Sequence, residues 1–555
     1  MFRKFSMFPR VNAVLRKTVS SVRATARRMS PATRAEDAAI QAARDETDAM
    51  LAKLCSQHRR GFEGEVLIDS QWDNPNYWFR TSLLRASLGL PNGREVAVLG
   101  EFRQRQCLRT LKHLGIERHV SFPDIAVDMT AIRQQARALV ANCRNADDVL
   151  AWRLPGDMPA AMIYDAILKR QRLASLDVTR SDFEQLVVES LAGITRAQSL
   201  LASYDFKLAV ISHTLSFTYG AIAWLALKRG IPVILPFGLF GVLRMALMKE
   251  PQDLFSFYDR PNRSEMEALP LKRAEAMRAI GRRYLEGRFS GRADDLASVY
   301  AYQRNATHID RESLCRQFGW DPAKPIVGFY ASNWYDWPHQ LGMTQFRDFL
   351  DWTMETFRIA GETSQFNWLF KPHPCEEWFG GVSLTEILSQ MPGASHVRLT
   401  EKGWNNTAVM QCMDALVTYH GTAGIEFVSL GKPVLLPDRG KYDDCGFVRV
   451  AENRAEYLSL LRSSWWVGLD AEDVRARAEL FAGWWFCAPS WQGNFLLADD
   501  SRQDELYGII QGLLRDNQEV VGREIASLRD WLAAGHRYSH TFKMIQVDEF
   551  QLTNV

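Results

Sequence analysis

The chain has 555 residues, 47% of them hydrophobic and 24% charged, which is typical of a soluble globular protein with two or more domains. Its net charge of +2 does not indicate the broad basic surface that is typical of nucleic-acid-binding proteins, so we expect no nucleic-acid partner. The eight cysteines form no Cys-x-x-Cys pair, which argues against a zinc cluster or a disulfide framework and favours a reducing cytoplasm. No run of about 18 apolar residues occurs, so we predict no transmembrane span.

The N-terminal arm, residues 1–34, is basic and precedes the first acidic residue, Glu36. It carries nine cationic side chains: Arg3, Lys4, Arg10, Arg16, Lys17, Arg23, Arg27, Arg28 and Arg34. Because apolar residues can share one helical face among them, we expect the arm to bind anionic lipid headgroups on the inner face of the cytoplasmic membrane. A disordered tail and a transit peptide remain alternatives. A helix follows at residues 35–57, and arm and helix form the predicted segment 1–60.

The predicted first domain covers residues 61–240 and begins with two parallel strands at residues 65–69 and 95–99. The second strand leads into an amphipathic helix, and further helices are expected up to residue 203. Residues 241–320 are rich in Arg and Glu and predict a helical connector without strands.

The predicted second domain covers residues 321–495 and begins with a strand at residues 325–331. The loop that follows is aromatic. Its Trp334 or Trp337 would either stack on a nucleotide base or pack in the core. Apolar stripes predict helices over most of residues 496–555.

An internal echo links the two predicted domains. Residues 210–214, a helix and residues 230–236 have the same layout as residues 417–422, a helix and residues 431–437. Each set predicts strand, helix and strand. The spacing is too long for a solenoid, so we interpret the two sets as equivalent units of two Rossmann-like domains.

The strongest motif is a Lys-Pro-His-Pro turn, which starts at Lys371 directly after a predicted buried strand at residues 366–370. The prolines stiffen the turn and fix His373 in position. A second predicted strand, residues 415–419, leads through a glycine-rich turn into a helix whose first N–H groups suit an anion. We therefore predict a phosphate-binding site with these donor-binding residues: Lys371, His373, His420, Gly421, Thr422, Ala423, Gly424 and Glu426.

Four short motifs carry a family resemblance: Lys-Pro-His-Pro at 371–374, His-Gly-Thr-Ala-Gly-x-Glu at 420–426, Gly-Lys-Pro-Val at 431–434, and Tyr442 with Gly446 and Phe447. Together they resemble the bacterial capsule-polysaccharide biosynthesis glycosyltransferases, which include the Kdo transferases of surface glycans. The resemblance spans residues 326–491 and is loose before them. It implies the GT-B fold, two Rossmann-like domains facing a cleft, and CMP-Kdo as the donor.

Glycosyl transfer requires the leaving phosphate to be stabilised and the acceptor hydroxyl to be deprotonated. Lys371 and His373 are expected to neutralise the phosphate without a metal, since the chain has no Asp-x-Asp motif, so no cofactor is predicted. Glu426 would accept hydrogen bonds from ribose or sugar hydroxyls, or would stabilise the N-terminus of its own helix.

The acceptor base is predicted among the acidic residues that follow strands of the first domain. Asp73 and Asp69 rank first, and His373 is the third predicted catalytic residue. Glu101 is a further candidate base, and His213 is a candidate for substrate contact.

Three functions remain open from the sequence. The first is a glycosyltransferase that acts on a capsule or lipopolysaccharide acceptor, a glycan or glycolipid. The second is a non-hydrolysing UDP-sugar 2-epimerase, although the helix start carries one glutamate, Glu426, rather than an acidic pair. The third is a catalytically silent scaffold of polysaccharide assembly.

Overall fold

The protein consists of two six-stranded sheets wrapped by helices, with further helices at the C-terminal end. The computed structural model describes residues 31–71, 74–101, 104–215, 218–239, 242–257, 260–292, 302, 306–374, 376, 381–492, 495, 503–546 and 550–551. The basic arm therefore lies outside the described residues, except for residues 31–34.

The first sheet has the strand order β3-β2-β1-β4-β5-β6. Its strands are β1 (Glu65–Asp69), β2 (Glu95–Leu99), β3 (Arg118–Ser121), β4 (Phe206–Val210), β5 (Val233–Leu239) and β6 (Val242–Met248). The first five run parallel, and β6 pairs antiparallel with β5.

Eight α-helices belong to this part of the described chain: α1 (Pro31–Gln57), α2 (Pro75–Leu88), α3 (Gln104–His113), α4 (Met129–Ala141), α5 (Ala146–Leu150), α6 (Ala160–Gln171), α7 (Phe183–Ser203) and α8 (Tyr219–Lys228). Single 3-10 turns occur at Pro155–Asp157 and Pro251–Phe255. The predicted helix at residues 35–57 is confirmed, and it docks on α2 and α3.

The second sheet is entirely parallel and has the order β12-β11-β10-β7-β8-β9. Its strands are β7 (Ile326–Tyr330), β8 (Asn367–Lys371), β9 (Val397–Leu399), β10 (Ala415–Thr418), β11 (Val434–Leu436) and β12 (Arg449–Val450). The predicted strands at residues 325–331, 366–370 and 415–419 are confirmed with small shifts of their ends.

The remaining α-helices are α9 (Arg263–Glu267), α10 (Leu271–Phe289), α11 (Arg311–Phe318), α12 (Phe349–Glu362), α13 (Leu384–Ser389), α14 (Asn406–Cys412), α15 (Ala423–Ser429), α16 (Arg454–Leu460), α17 (Ala471–Phe486), α18 (Gln503–Asp516), α19 (Gln518–Ala534) and α20 (Ser539–Gln546). A two-stranded sheet pairs β13 (Ala488–Pro489) with β14 (Phe550–Gln551), next to a 3-10 turn at Ser490–Gln492.

Both large sheets follow the doubly wound Rossmann strand order, in which the first strand of each unit lies beside the fourth. The predicted fold, two Rossmann-like domains of GT-B type, is therefore confirmed. The internal echo falls on the fourth and fifth strands of each sheet, β4 with β5 and β10 with β11. The boundary between first and fourth strands is where such sheets bind ligands.

The prediction that residues 241–320 contain no strand is wrong at β6, whose seven residues are all buried. Arg244 lies in the middle of this strand and makes its sequence look amphipathic. Its guanidinium is fully buried and donates through Nη2 to the backbone carbonyl of Trp485, which lies far away in sequence. Further along this stretch, α10 packs against α17, and Gly281 and Gly483 allow the close approach of the two backbones.

The C-terminal helices return to the first sheet. Helices α18 and α19 pack on α2, and α20 packs on β6. Trp531 and Ile525 of α19 share an apolar core with Leu83 and Leu84 of α2. Within the described parts of the chain, no helix is both long enough and apolar enough to cross a bilayer.

Candidate active site

The carboxyl ends of β8 and β10 bring the predicted donor-binding residues to one edge of the second sheet. Strand β8 ends at Lys371, and the turn with His373 follows directly. Strand β10 ends at Thr418, so His420 lies two residues past the neighbouring strand end. Strand β7 lies between β8 and β10, and the ammonium of Lys371 lies 5.3 Å from the ring centre of Tyr330 at its end.

This edge gathers four basic groups that lie deep in a crevice yet keep part of their surface open. Burial, helped by the charge of nearby Lys441, lowers the pKa of His373 to about 4 and that of His420 to about 3. Burial also lowers the pKa of Lys371 and of Lys441 to about 8. Near pH 7 the two lysines bring positive charge into a desolvated place, and the two neutral imidazoles add ring nitrogens that can form hydrogen bonds. The edge is therefore suited to an anionic ligand.

Two buried polar atoms support the same conclusion. Nε2 of His420 and Nδ2 of Asn333 have no hydrogen-bond partner among the described residues. Asn333 follows β7 and His420 follows β10, so both lie at the boundary between the first and fourth strands of the sheet. Buried polar groups are nearly always hydrogen-bonded, so these two atoms are available to a water molecule or to a ligand bound at this boundary.

The glycine-rich turn has a packing role that the sequence does not reveal. A Cβ at Gly424 would lie 2.0 Å from the hydroxyl oxygen of Tyr442, so this glycine makes room for that ring. The Tyr442 hydroxyl donates to the carbonyl of Gly421 at 2.6 Å and fixes the turn. Gly421 has more space, with its closest neighbour 3.6 Å from an added Cβ. Thr422 precedes α15 as its N-cap without a side-chain capping bond, and Ala423 is its first residue.

Glu426 lies in α15 and is committed to protein partners. Its carboxylate accepts hydrogen bonds from Nε and Nη2 of Arg288 at 2.9 and 2.7 Å, and from the hydroxyl of Tyr302. Both carboxylate and guanidinium are buried. This charge pair supports a structural role for Glu426 within the protein. A hydrogen bond from ribose to Glu426 stays a prediction.

At the first sheet, Asp69 ends β1 and bridges to the loop after β4. One carboxylate oxygen accepts from the backbone N–H of Gln71 at 2.9 Å, and the other from the N–H and hydroxyl of Ser212. The side chain is 2% exposed, and burial raises its pKa to about 6 against the opposing effect of these bonds. Asp73, the other predicted base, lies outside the described residues.

A cavity of about 600 Å³ opens beside this edge. Its wall includes Gln71, Glu101, Lys169, Arg196, Tyr219 and Trp337. Helices α4, α6 and α7 contribute both apolar and polar side chains to the rest of the wall. The cavity combines apolar surface with a few charged groups, which is the composition of a small-molecule site. His213 lies near its rim, 6.3 Å from the ring of Tyr219 between centroids.

The two tryptophans of the loop after β7 differ. Trp334 is buried, and its indole N–H donates to the carbonyl of Val382 at 2.8 Å, so it packs in the core. Trp337 lines the cavity of the first domain rather than the basic edge of the second.

The same loop joins the two domains. The buried carboxylate of Asp165, in α6, accepts from the backbone N–H groups of His339 and Gln340, each at 3.0 Å. The side chain of Gln340 donates to the carbonyl of Thr214 at 3.1 Å. Tyr164 of α6 also donates to Asp348 at 2.6 Å. These bonds hold the carboxyl edges of the two sheets against each other across the crevice.

Sequence reasoning missed Lys441, Asn333 and the Arg288 partner of Glu426. Lys441 directly precedes Tyr442, which belongs to the family motif, and that position was a usable signal. Arg288 lies 138 residues from Glu426 and gave no signal. Over the described residues, no group of three or more His, Cys, Asp or Glu side chains is placed to hold a metal ion.

No family model and no curated protein matches the chain. Solved structures that resemble it include KpsC of Thermosulfurimonas dismutans, a beta Kdo 2,4 transferase, at 14% identity, covering 55% of this chain and 87% of that one, with a TM-score of 0.30. A glycosyltransferase of Rickettsia africae has 10% identity and covers 84% of this chain and 99% of its own, with a TM-score of 0.23. UDP-GlcNAc 2-epimerase of Neisseria meningitidis has 10% identity, 81% and 99% coverage and a TM-score of 0.20. Similarity at this level carries no functional argument, so function is inferred from the site itself.

Proposed function

We propose that the protein is a glycosyltransferase that takes a nucleotide sugar at the basic edge of the second sheet. The observation that carries this proposal is the group of four basic side chains, Lys371, His373, His420 and Lys441, at the ligand-binding boundary of a Rossmann sheet. Such a group is suited to the phosphate that leaves with the nucleotide. Following the family resemblance, the donor is CMP-Kdo.

The acceptor is a glycan or glycolipid of the capsule or lipopolysaccharide type. We place it in the cavity of about 600 Å³ at the first sheet, because Trp337, from the loop after β7 of the second domain, lines that cavity. A sugar ring packs its apolar face on an aromatic side chain and bonds its hydroxyls to polar groups. Trp337 and Lys169 supply these two kinds of contact.

The chemistry follows from the two edges. The neutral imidazole of His373 and the charged Lys371 and Lys441 donate to the leaving phosphate, so its developing charge is stabilised without solvent reorganisation. This set of donors makes a metal unnecessary for the step. Closing the crevice keeps water from the oxocarbenium-like centre.

The epimerase alternative is less suited to these contacts. It requires acidic and basic groups on both faces of one sugar carbon. Glu426, the acidic residue of the helix start, is already bonded to Arg288 and Tyr302.

The arm at residues 1–34 is proposed to hold the enzyme on the inner face of the cytoplasmic membrane, where a lipid-linked acceptor is found. Helix α1, which follows the arm, packs on α2 and α3 of the first domain. The acceptor side would therefore lie toward the bilayer.

The proposal is tested by incubating the purified protein with CMP-Kdo, UDP-GlcNAc and CDP-glycerol and measuring nucleotide release with an acceptor. His373→Ala should reduce transfer by about 10²- to 10³-fold, because it removes one preorganised phosphate donor. His119→Ala, at an exposed histidine on β3, is the matched control and should keep full activity. Equal turnover in both variants would refute the assignment.

A further inference from the structure

Asp336 lies where the carboxyl edges of both sheets meet. It belongs to the loop between β7 and α12, and its carboxylate is 3.7 Å from the ammonium of Lys169 in α6. Burial lowers the pKa of His213, and the negative charge of Asp336 opposes that shift. Burial also lowers the pKa of His373 and of Lys441, and the negative charge of Asp336 opposes both shifts. One carboxylate thus faces basic groups from four separate elements, two in each domain.

The loop holds this carboxylate in a fixed place. The backbone N–H of Asp336 donates to the carbonyl of Asn333 at 3.2 Å. On its other side, His339 is tied to Asp165 of the first domain. Trp337, between them, has φ of 54°, a left-handed conformation that is strained for an aromatic residue, and Pro338 follows it. Backbone strain of this kind occurs at functional sites because the surrounding contacts enforce it.

Accessibility separates Asp336 from Asp69. The Asp336 side chain is 42% exposed, so a substrate hydroxyl can reach it. Asp69 is 2% exposed, and both its oxygens already accept hydrogen bonds from Gln71 and Ser212. Asp69 is therefore placed to brace the loops of the first sheet, while Asp336 faces the crevice.

Resting on the glycosyltransferase function proposed above, we infer that Asp336 is the base that deprotonates the acceptor hydroxyl. The hydroxyl proton passes to the carboxylate of Asp336, and the oxygen forms a bond to the anomeric carbon of the donor sugar. The bond from that carbon to the phosphate oxygen breaks, and its electron pair leaves with the nucleotide. The ammonium of Lys169, 3.7 Å away, orients the carboxylate.

The residues around Asp336 support this assignment, both toward the acceptor cavity and toward the basic edge. Lys169 and Trp337, next to Asp336, line the acceptor cavity. The charge of Asp336 raises the pKa of His373 and of Lys441, and both of these residues belong to the basic edge of the second sheet. The carboxylate therefore lies close both to the proposed acceptor cavity and to the basic edge, where the acceptor hydroxyl would meet the donor sugar.

The first test is Asp336→Asn, which keeps the size of the side chain and removes the proton acceptor. Transfer should fall by about 10²- to 10⁴-fold, while the affinity for the free nucleotide changes less than about threefold. Asp205→Asn, at an exposed carboxylate before β4, is the matched control and should keep full activity. Formate added to Asp336→Ala should restore part of the rate, since a small carboxylate can occupy the space.

The second test asks whether Asp336 acts as a base or only as a counter-ion of Lys169. If Asp336 only balanced that ammonium, Asp336→Asn would raise the KM for the acceptor and leave kcat unchanged, and such a result would overturn the assignment. We expect kcat to fall instead, because the proton acceptor is lost. If the wild-type enzyme and the Asp336→Asn variant are equally active, the assignment of Asp336 as the base is overturned, while the proposed glycosyltransferase function stands. A wild-type protein that transfers no sugar from any donor overturns the proposed function, and this assignment with it.

Discussion

The carboxyl edges of the two sheets occupy equivalent places in equivalent folds but carry opposite chemistry. In the second sheet the edge holds Lys371, His373, His420 and Lys441, all with pKa values lowered by burial. In the first sheet the edge holds the buried carboxylate of Asp69, with a raised pKa. The strand order determines where a ligand binds, whereas the residues that follow the strands determine which ligand is accepted.

The comparison also bears on the proposed function. In that proposal the basic edge holds the nucleotide, the cavity at the first edge holds the acceptor, and Asp336 lies close to both. The predictions below test each edge separately, beginning with the change of largest expected effect.

Replacing the lysines of the basic edge should weaken nucleotide binding most. Lys371→Met or Lys441→Met should each reduce transfer by about 10²- to 10³-fold. Because burial lowers the pKa of both lysines to about 8, the free protein loses these charges above that pH. Each lysine should then add about a tenfold fall in affinity per pH unit. Calorimetry with CMP and UDP from pH 7 to 10 measures this. Lys207→Met, at an exposed lysine, serves as control, and a flat profile would contradict the account.

The acidic side of the comparison predicts a pH-dependent stability. Burial raises the pKa of Asp69 from 3.8 to about 6, so the folded state binds this proton more tightly than the unfolded state does. The stabilisation is fully present below pH 3.8 and is lost as the pH rises through 6, by about 3 kcal/mol in total. Asp69→Asn should remove this contribution. Urea unfolding of both proteins between pH 4 and 7 measures this difference in the free energy of unfolding. If that free energy changes with pH in the same way for both proteins, Asp69 is not buried as described.

Two glycines of the basic edge should respond differently to the same change. Gly424→Ala forces the Tyr442 ring to move and should destabilise the protein by about 1 to 3 kcal/mol. Gly421→Ala meets an ordinary contact and should leave stability unchanged, but should weaken nucleotide binding if the turn lies against the phosphate. Thermal unfolding and calorimetry on both variants separate packing from binding. Loss of stability in Gly421→Ala would contradict the geometry of the turn.

The smallest effect on catalysis is expected from the arm. Removing residues 1–30, which end just before α1, should leave activity on a soluble acceptor analogue unchanged and reduce activity on a lipid-linked acceptor. Binding of the full chain to anionic vesicles should disappear in high salt, because the Debye length falls from about 10 Å at 0.1 M to about 3 Å at 1 M. Equal sedimentation of truncated and full chains with vesicles would show that the arm is not the anchor.

Local patterns in the sequence were sufficient for much of the fold. The strands before Lys371 and His420 are short apolar runs bounded by turn residues, and the echo between β4 and β10 identified equivalent positions. The donor edge was predictable because its residues directly follow those strands, and neighbouring parallel strands end at one edge.

Long-range partners account for what the sequence did not show. Strand β6 was missed because Arg244 interrupts its apolar run, and the carbonyl that accepts a hydrogen bond from this side chain lies 241 residues away. The bonding of Glu426 depends on Arg288, and the placement of Asp336 depends on Lys169 from the other domain. Such pairs arise only from tertiary packing, so periodicity and motif spacing give no sign of them.

The central claim is that the nucleotide phosphate binds the basic edge of the second sheet rather than the edge of the first. A crystal structure of the protein with CMP or UDP tests it most directly. The account predicts a phosphate within hydrogen-bond distance of Lys371 and His373, with Nε2 of His420 and Nδ2 of Asn333 gaining the partners that these two atoms lack in the described structure. A phosphate bound beside Asp69 and Ser212 at the first sheet would contradict it.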